Sequence, residues 1–218
     1  MAGILKVGLT GGIACGRSSL SRHLRRPGWH LIDADAIVHG LLYEGGRAVE
    51  KVIDAFGAGV ESGAGGVDRK ALGGLVFCDT DARRRLEAII HPMVTGVIEA
   101  DTAAFAARVA GGIIVVDAAL MVETGSWRRY DRLVVAHCPP PIQLARLMAR
   151  DGMGEAQARA RISAQAPLQE KIDLADYTID TSGSLEETRA RTLSVAERLE
   201  EDQRGMGPGG AAPGRSPE

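Results

Sequence analysis

The sequence has no dominant charge. Lysine and arginine number 26 against 28 aspartates and glutamates, a formal net charge of −2. That leaves no electrostatic footprint for duplex nucleic acid. No apolar run approaches the ~20 residues of a membrane span. The first residues, Met1-Ala2-Gly3-Ile4-Leu5-Lys6, lack the long apolar region and cleavage site of a secretory leader. The expectation is a soluble, cytoplasmic protein. Only three cysteines occur, Cys15, Cys78 and Cys138, with no close pair in sequence. This excludes a disulfide framework and a zinc spacing. There is no internal repeat. What remains is a chain of 218 residues, enough for one sizeable core or a core with small lobes. Its oligomeric state is not legible.

The informative stretch is Gly8-Leu9-Thr10-Gly11-Gly12-Ile13-Ala14-Cys15-Gly16-Arg17-Ser18-Ser19. An apolar strand, Ile4 to Leu9, runs into it, and a helical stretch, Ser18 to about Arg26, runs out. Strand, glycine-rich turn and helix form the context of a phosphate-binding loop. Glycines let the backbone bring its N–H groups close to a polyphosphate, and the helix points its N-terminus at the charge. The spacing matches Gly-x4-Gly-Lys-Ser/Thr except that Arg17 replaces Lys. Arginine is planar and forked where lysine is a point charge, yet it pairs well with phosphate. Cys15 lies inside this loop. The favoured reading is a small residue tolerated at a variable position; the sharper hypothesis is a thiolate favoured by the loop amides, reactive and protected by ATP.

Further along, His30 to Ile32 predicts a second strand ending on Asp33-Ala34-Asp35. Carboxylates there suit magnesium or a general base, although Asp33 could simply cap the next helix. Residues 37–110 contain no convincing strand. Helical spacing runs over Ile37, Leu41, Leu42, Val49, Val52, Ile53 and Phe56. Gly57 to Gly66 predicts a flexible turn. Helices follow over Arg69–Phe77 and Asp79–Ile90, the second ended or broken by His91-Pro92, and then over Met93–Ala110. Ile113 to Val116 is the strongest strand and ends on Asp117, with Glu123 close by. Arg132 to Ala136 is another strand. Pro139-Pro140-Pro141 breaks the chain before helices over Ile142–Arg150 and Glu155–Ala164. Arg146 and Arg150 share a helix face and suit a lid over phosphates. Tyr177 to Asp180 is a last strand and Leu185 to Leu199 a last helix. The glycine- and proline-rich end from Gly205 predicts a disordered tail.

These stretches together resemble the dephospho-CoA kinases. Gly8 to Ile13 is similar to the opening of that family's phosphate loop, and Ile32-Asp33-Ala34-Asp35 with His39 to its acidic motif. Asp68 to Leu72, Val76-Phe77 and Leu86 to Pro92 resemble its helical segment. Gln143 to Leu147 and Arg150 to Met153 look like its lid. Ala164-Gln165-Ala166-Pro167-Leu168, Lys171, Ala175-Asp176 and Tyr177 to Gly183 continue the pattern. The chain departs from it at Arg17 and Ser19, where the family has Lys and commonly Thr. It also lacks the Pro after Asp117, and Thr181 stands where the family has Asn.

The resemblance implies an α/β fold: a P-loop NTPase-type parallel sheet with helices on both faces, a helical substrate-binding insertion and a small helical lid. One kinase domain, 1–203, is expected, with core segments 1–36, 111–139 and 175–203, an acceptor-binding region 37–110, a lid 140–174 and a tail 204–218. It implies ATP-dependent phosphorylation of the ribose 3′-hydroxyl of dephospho-CoA, with Mg2+. The nucleotide is expected on Gly11, Gly12, Ile13, Ala14, Cys15, Gly16, Arg17, Ser18 and Ser19, with the Ser18 hydroxyl on the metal. Asp35 is the expected base and Asp33 its alternative, with Arg17, Arg146 and Arg150 on the phosphates. Thr10, Asp35, Phe77, His91, Pro92, Asp117, Leu120 and Glu123 are expected to line the acceptor site. Neither nucleic acid nor membrane is an expected partner. Two other readings stay open: a weakened paralogue that only binds nucleotide or CoA, and a different P-loop small-molecule kinase.

Overall fold

A buried apolar strand seeds the sheet. In the computed structural model, which describes residues 3–206 and leaves the side chains of Phe77 and Cys78 outside the description, β1 spans Ile4–Gly11. It is flanked by β3 (Gly112–Asp117) and β4 (Arg132–His137), both parallel to it. With β2 (Trp29–Asp33) and β5 (Tyr177–Asp180) the order is β2-β3-β1-β4-β5. Every residue of β3 is buried, as expected of a parallel strand covered on both faces. The register pairs Leu9 with Asp117, Gly11 with Ala136 and His137 with Asp180. The carboxyl ends of β1, β3, β4 and β5 therefore share one edge, where ligands of open α/β sheets bind.

One face of the sheet carries α1 (Arg17–His23) and α9 (Leu185–Gly205). Leu20 and Leu24 join Val195, Ala196 and Leu199 over Leu5, Val7, Leu9, Ile113 and Val134. A capping box starts α9: Ser184 accepts from the Glu187 amide, and Glu187 accepts from the Ser184 amide. The helix runs past the expected Leu199 to Gly205, and Met206 is buried in the same core. Arg204 and Gly205 are thus exposed residues of a helix and Met206 packs in the core, while 207–218 lie outside the described residues. The expected lid segment holds α6 (Pro140–Asp151), α7 (Glu155–Ser163) and a short α8 (Leu168–Asp173) that periodicity did not reveal. The triple proline starts α6 instead of merely breaking the chain, because proline fits the first helical turn.

The chain divides into two compact units: residues 1–32 with 104–218, and residues 33–103. The second is helical, with α2 (Ala34–Leu42), α3 (Val49–Phe56), α4 (Arg69–Cys78) and most of α5 (Thr80–Ala106). Two expectations fail here. Residues 57–66 are ordered: Val60 and Val67 are buried, Glu61 bridges Val67, and Ser62 and Gly66 close the turn. The glycines serve a turn whose flanking valines are tied into the core. Pro92 also does not end its helix, and α5 runs through it, 27 residues in all. Proline deprives the Ala88 carbonyl of its donor, but Ala88 and Pro92 are both exposed, so water can serve that carbonyl. Asp79 caps α5, accepting from Asp81 and Ala82 N–H groups, and the Ala82 bond foremost holds its carboxyl below the usual range.

Proline still costs a helix interior about 3 kcal/mol relative to alanine, so Pro92→Ala is expected to raise unfolding stability by about 2 kcal/mol. Urea denaturation checks this, and an unchanged or lower midpoint refutes it.

Candidate active site

The loop between β1 and α1 is held by close backbone approach. A Cβ on Gly11 would run into the Ala136 carbonyl of β4. Ala14 has φ 58° and Gly16 φ 79°. Left-handed residues in alternation make a concavity of N–H groups suited to an anion, and for alanine the conformation is strained. The Cys15 amide donates to Gly12 O at 3.0 Å, and the Ser19 amide to Gly16 O at 2.8 Å. Both backbone polar groups of Ile13 go to side chains. Its N–H donates to Gln165 Oε1 at 2.8 Å, and its carbonyl accepts from Gln143 Nε2 at 3.0 Å. The Ile13 amide, expected on the nucleotide, is therefore engaged by protein.

Arg17 opens α1, and its guanidinium lies 2.6 Å from the Asp117 carboxylate at the end of β3. Both side chains are largely withdrawn from water, at 19% and 9% exposure. Ser21, one turn along α1, donates to the other Asp117 oxygen. Asp117 is thus gripped by two residues of α1, which the sequence reading paired with nothing. Ser18 is exposed in the same first turn.

The segment after β3 is tied down by polar side chains. Thr10 is fully buried and donates to Ala119 O at 3.2 Å. Lys171, also fully buried, lies 2.7 Å from Glu123 and donates to Ala119 O at 3.3 Å. Glu123 additionally accepts the Ala166 amide at 3.1 Å. Thr10 and Glu123, expected on the acceptor, also brace this segment: a buried ammonium demands a carboxylate partner. Leu120, from the same segment, is 46% exposed.

Arg146 and Arg150 part company despite their shared helix. Arg146 donates to Thr181 through both its hydroxyl, at 3.1 Å, and its carbonyl, at 2.7 Å. Arg150 is exposed and grips Asp151, which Arg161 also reaches. The Arg150 bond foremost keeps the Asp151 carboxyl below its ordinary range. Thr181 is buried, with its hydroxyl 3.1 Å from Cys15 O and 3.2 Å from His137 O. Cys15 is buried too, its sulfur 3.4 Å from that of Cys138 at the end of β4. The hydrogen bond to Cys138, and then burial, push the Cys15 thiol up. The Cys15 contact foremost, with Arg146 nearby, draws Cys138 down to about 7. The burial of this sulfur against Cys138 goes against the reactive-thiolate hypothesis and agrees with a small residue tolerated in the loop.

In the helical unit, Asp33 caps α2, accepting the Ala36 amide at 2.9 Å, and Asp35 is exposed in the first turn. His91 and Pro92 are exposed on α5. Phe77 lies on α4 with its side chain outside the described residues. Among the described residues no three His, Cys, Asp or Glu side chains converge as a metal site.

The family model for dephospho-CoA kinase matches residues 5–187. The chain belongs to the dephospho-CoA kinase family. The dephospho-CoA kinase of Symbiobacterium thermophilum is 44% identical over 185 residues, covering 85% of this chain and 77% of that protein. The solved dephospho-CoA kinase of Campylobacter jejuni superposes with a TM-score of 0.66 at 26% identity, covering 91% and 98%. A shikimate kinase of Acinetobacter baumannii gives a TM-score of 0.50 at 14% identity, covering 92% of this chain and 95% of that one, and so shares the fold alone. The protein is a P-loop kinase of coenzyme A biosynthesis.

Within this dephospho-CoA kinase fold, Ser21, Gln143, Gln165 and Lys171 carry the site's framework without having been assigned roles from sequence. Lys171 and Gln165 did fall in stretches similar to the family pattern, but partner identity lies in three dimensions.

Burial predicts the cysteine chemistry. Iodoacetamide at pH 8, read by peptide mass mapping, is expected to leave Cys15 of the native protein unmodified with or without ATP, and to label it only on unfolding. Rapid labelling suppressed by ATP would restore the exposed thiolate.

Proposed function

We propose that the protein transfers the γ-phosphoryl group of ATP to the ribose 3′-hydroxyl of dephospho-CoA, giving coenzyme A, the final step of its biosynthesis. The observation that carries this reading is a strained, anion-shaped phosphate loop, with Ala14 at φ 58° and Gly16 at φ 79°, on a chain that matches the family over residues 5–187.

The β- and γ-phosphates lie on the backbone of residues 11–16, with Ala14 and Gly16 presenting their amides, the Cys15 amide being taken by Gly12 O. Arg17 takes the charge of the transferring group. A guanidinium has five N–H donors where an ammonium has three, so Arg17 can keep Asp117 while reaching a phosphate. That is the physical reason an arginine works here. Arg146 steadies the 181 turn against the loop, and Arg150 belongs to the lid. Hard oxygen donors, the Ser18 hydroxyl and the Asp117 carboxylate, suit magnesium alongside phosphate oxygens. The metal supplies neutralisation of developing charge on those oxygens. Asp35 accepts the proton of the ribose hydroxyl and Asp33 shapes the start of its helix, the base needing only hydrogen-bond reach in the bound complex. From the resemblance we assign Leu120, His91 and Pro92 to the acceptor.

Purified protein with ATP and magnesium should release ADP only when dephospho-CoA is added, with CoA as product. ATP binding without that release would favour a binding paralogue, and release with another acceptor a different kinase. Asp35→Asn is expected to lower kcat at least about 100-fold with little change in KM for ATP. Arg17→Ala should lower turnover by up to about 1000-fold, well beyond any loss of ATP affinity. Unchanged turnover in either removes that residue from the mechanism.

A further inference from the structure

The two peptide planes that enter the phosphate loop are each oriented by a glutamine. The Gly12–Ile13 peptide donates to Gln165 on one side and accepts from the Cys15 amide on the other, at 2.8 and 3.0 Å. The Ile13–Ala14 peptide gives its carbonyl to Gln143 at 3.0 Å. Each backbone partner dictates which end of the glutamine amide faces it: a carbonyl needs the NH2, an N–H needs the oxygen. Gln143 is 4% exposed, and a Cβ on Gly12 would come within 2.8 Å of its Nε2. Gly12 therefore leaves the space through which the glutamine reaches the loop.

In a trans peptide the carbonyl and the following N–H point in opposite directions. Holding the Ile13 carbonyl outward therefore aims the Ala14 N–H inward. The cost appears in the next torsion, since Ala14 sits at φ 58°, a left-handed conformation that disfavours any residue with a Cβ. Turning this one peptide over would change φ of Ala14 by about 180° and return it to an ordinary region. The hydrogen bond to Gln143 opposes that turn.

We propose that Gln143 is a positioning residue for nucleotide binding: by fixing the Ile13 carbonyl it keeps the Ala14 N–H aimed at the polyphosphate against the backbone's tendency to flip. Gln165 fixes the preceding peptide in the same sense. The inference rests on reading this loop as the phosphate site. It assigns a specific task to two glutamines that hold the loop backbone.

The test is titration calorimetry with ADP as the probe, together with steady-state KM values, for wild type, Gln143→Leu, Ala14→Gly and the double variant. Gln143→Leu is expected to weaken ADP about tenfold and to raise KM for ATP alike, a factor set by the strain released at Ala14. KM for dephospho-CoA should hold. In the Ala14→Gly background the same substitution should cost only about twofold, because glycine gains nothing from the flip. A merely structural role for Gln143 would weaken binding equally in both backgrounds, and that result overturns the proposal. Equal ADP binding by wild type and Gln143→Leu overturns it as well. No ADP binding by wild type overturns the phosphate-site reading and takes this inference with it. If Gln143→Leu does not fold, Gln143→Asn, one methylene short of the Ile13 carbonyl, is judged by the same comparison.

Discussion

A loop that offers bare amides to an anion must have its other polar groups answered from elsewhere. The 12–16 segment meets this constraint one group at a time. Gly12 O takes the Cys15 amide, Ile13 N–H and C=O take Gln165 and Gln143, and Cys15 O takes Thr181. The three side-chain partners come from different places: α6, the connection after α7, and the turn after β5. The arrangement of α6 to β5 around the carboxyl edge of the sheet therefore follows from what the loop leaves unsatisfied. Thr181 shows how a departure from the family pattern is absorbed. Its hydroxyl is within reach of two carbonyls and accepts from Arg146, so a shorter side chain than asparagine still bridges loop, strand and helix.

Buried charge is handled by the same economy of partners. Asp117 at the end of β3 meets Arg17 and Ser21, both from α1. Lys171 meets Glu123, which also takes a backbone amide. Removing one member of a withdrawn pair leaves the other charge uncompensated, which costs more than the pair contributes. These contacts therefore specify geometry more than they add stability. They hold the segment after β3 and the first turn of α1 in fixed relation. The exchange of lysine for arginine in the loop is read best in this light. The forked head spans Asp117 and leaves donors in number for phosphate.

Much of the architecture was legible because it rests on local signals. The β-branched run at 113–116, the glycine spacing of the loop and the Tyr177–Asp180 strand stand where periodicity put them. A cap was legible for the same reason: Asp33 lies immediately before its helix. The failures have a common origin. Pro92 and the glycines of 57–66 carry strong local breaking signals, and both were overridden, one by the solvent exposure of the carbonyl it orphans and the other by burial of Val60 and Val67. The end of α9 was misplaced because Met206 packs into a core assembled from distant strands.

For the site, local sequence sufficed to place a phosphate loop and carboxylates at strand ends, since a tight turn needs glycine and a strand end needs only adjacency. It also sufficed to name the family, through several short stretches in order. Which side chain answers which was decided only on folding. Cys15 and Cys138 lie 123 positions apart and touch; Arg17 finds Asp117 across 100 positions, and Ile13 finds Gln165 across 152. Such pairings follow from the register of parallel strands and the packing of helices on them. Hydrogen bonds and ion pairs reach about 3 to 4 Å in space, whatever the separation along the chain.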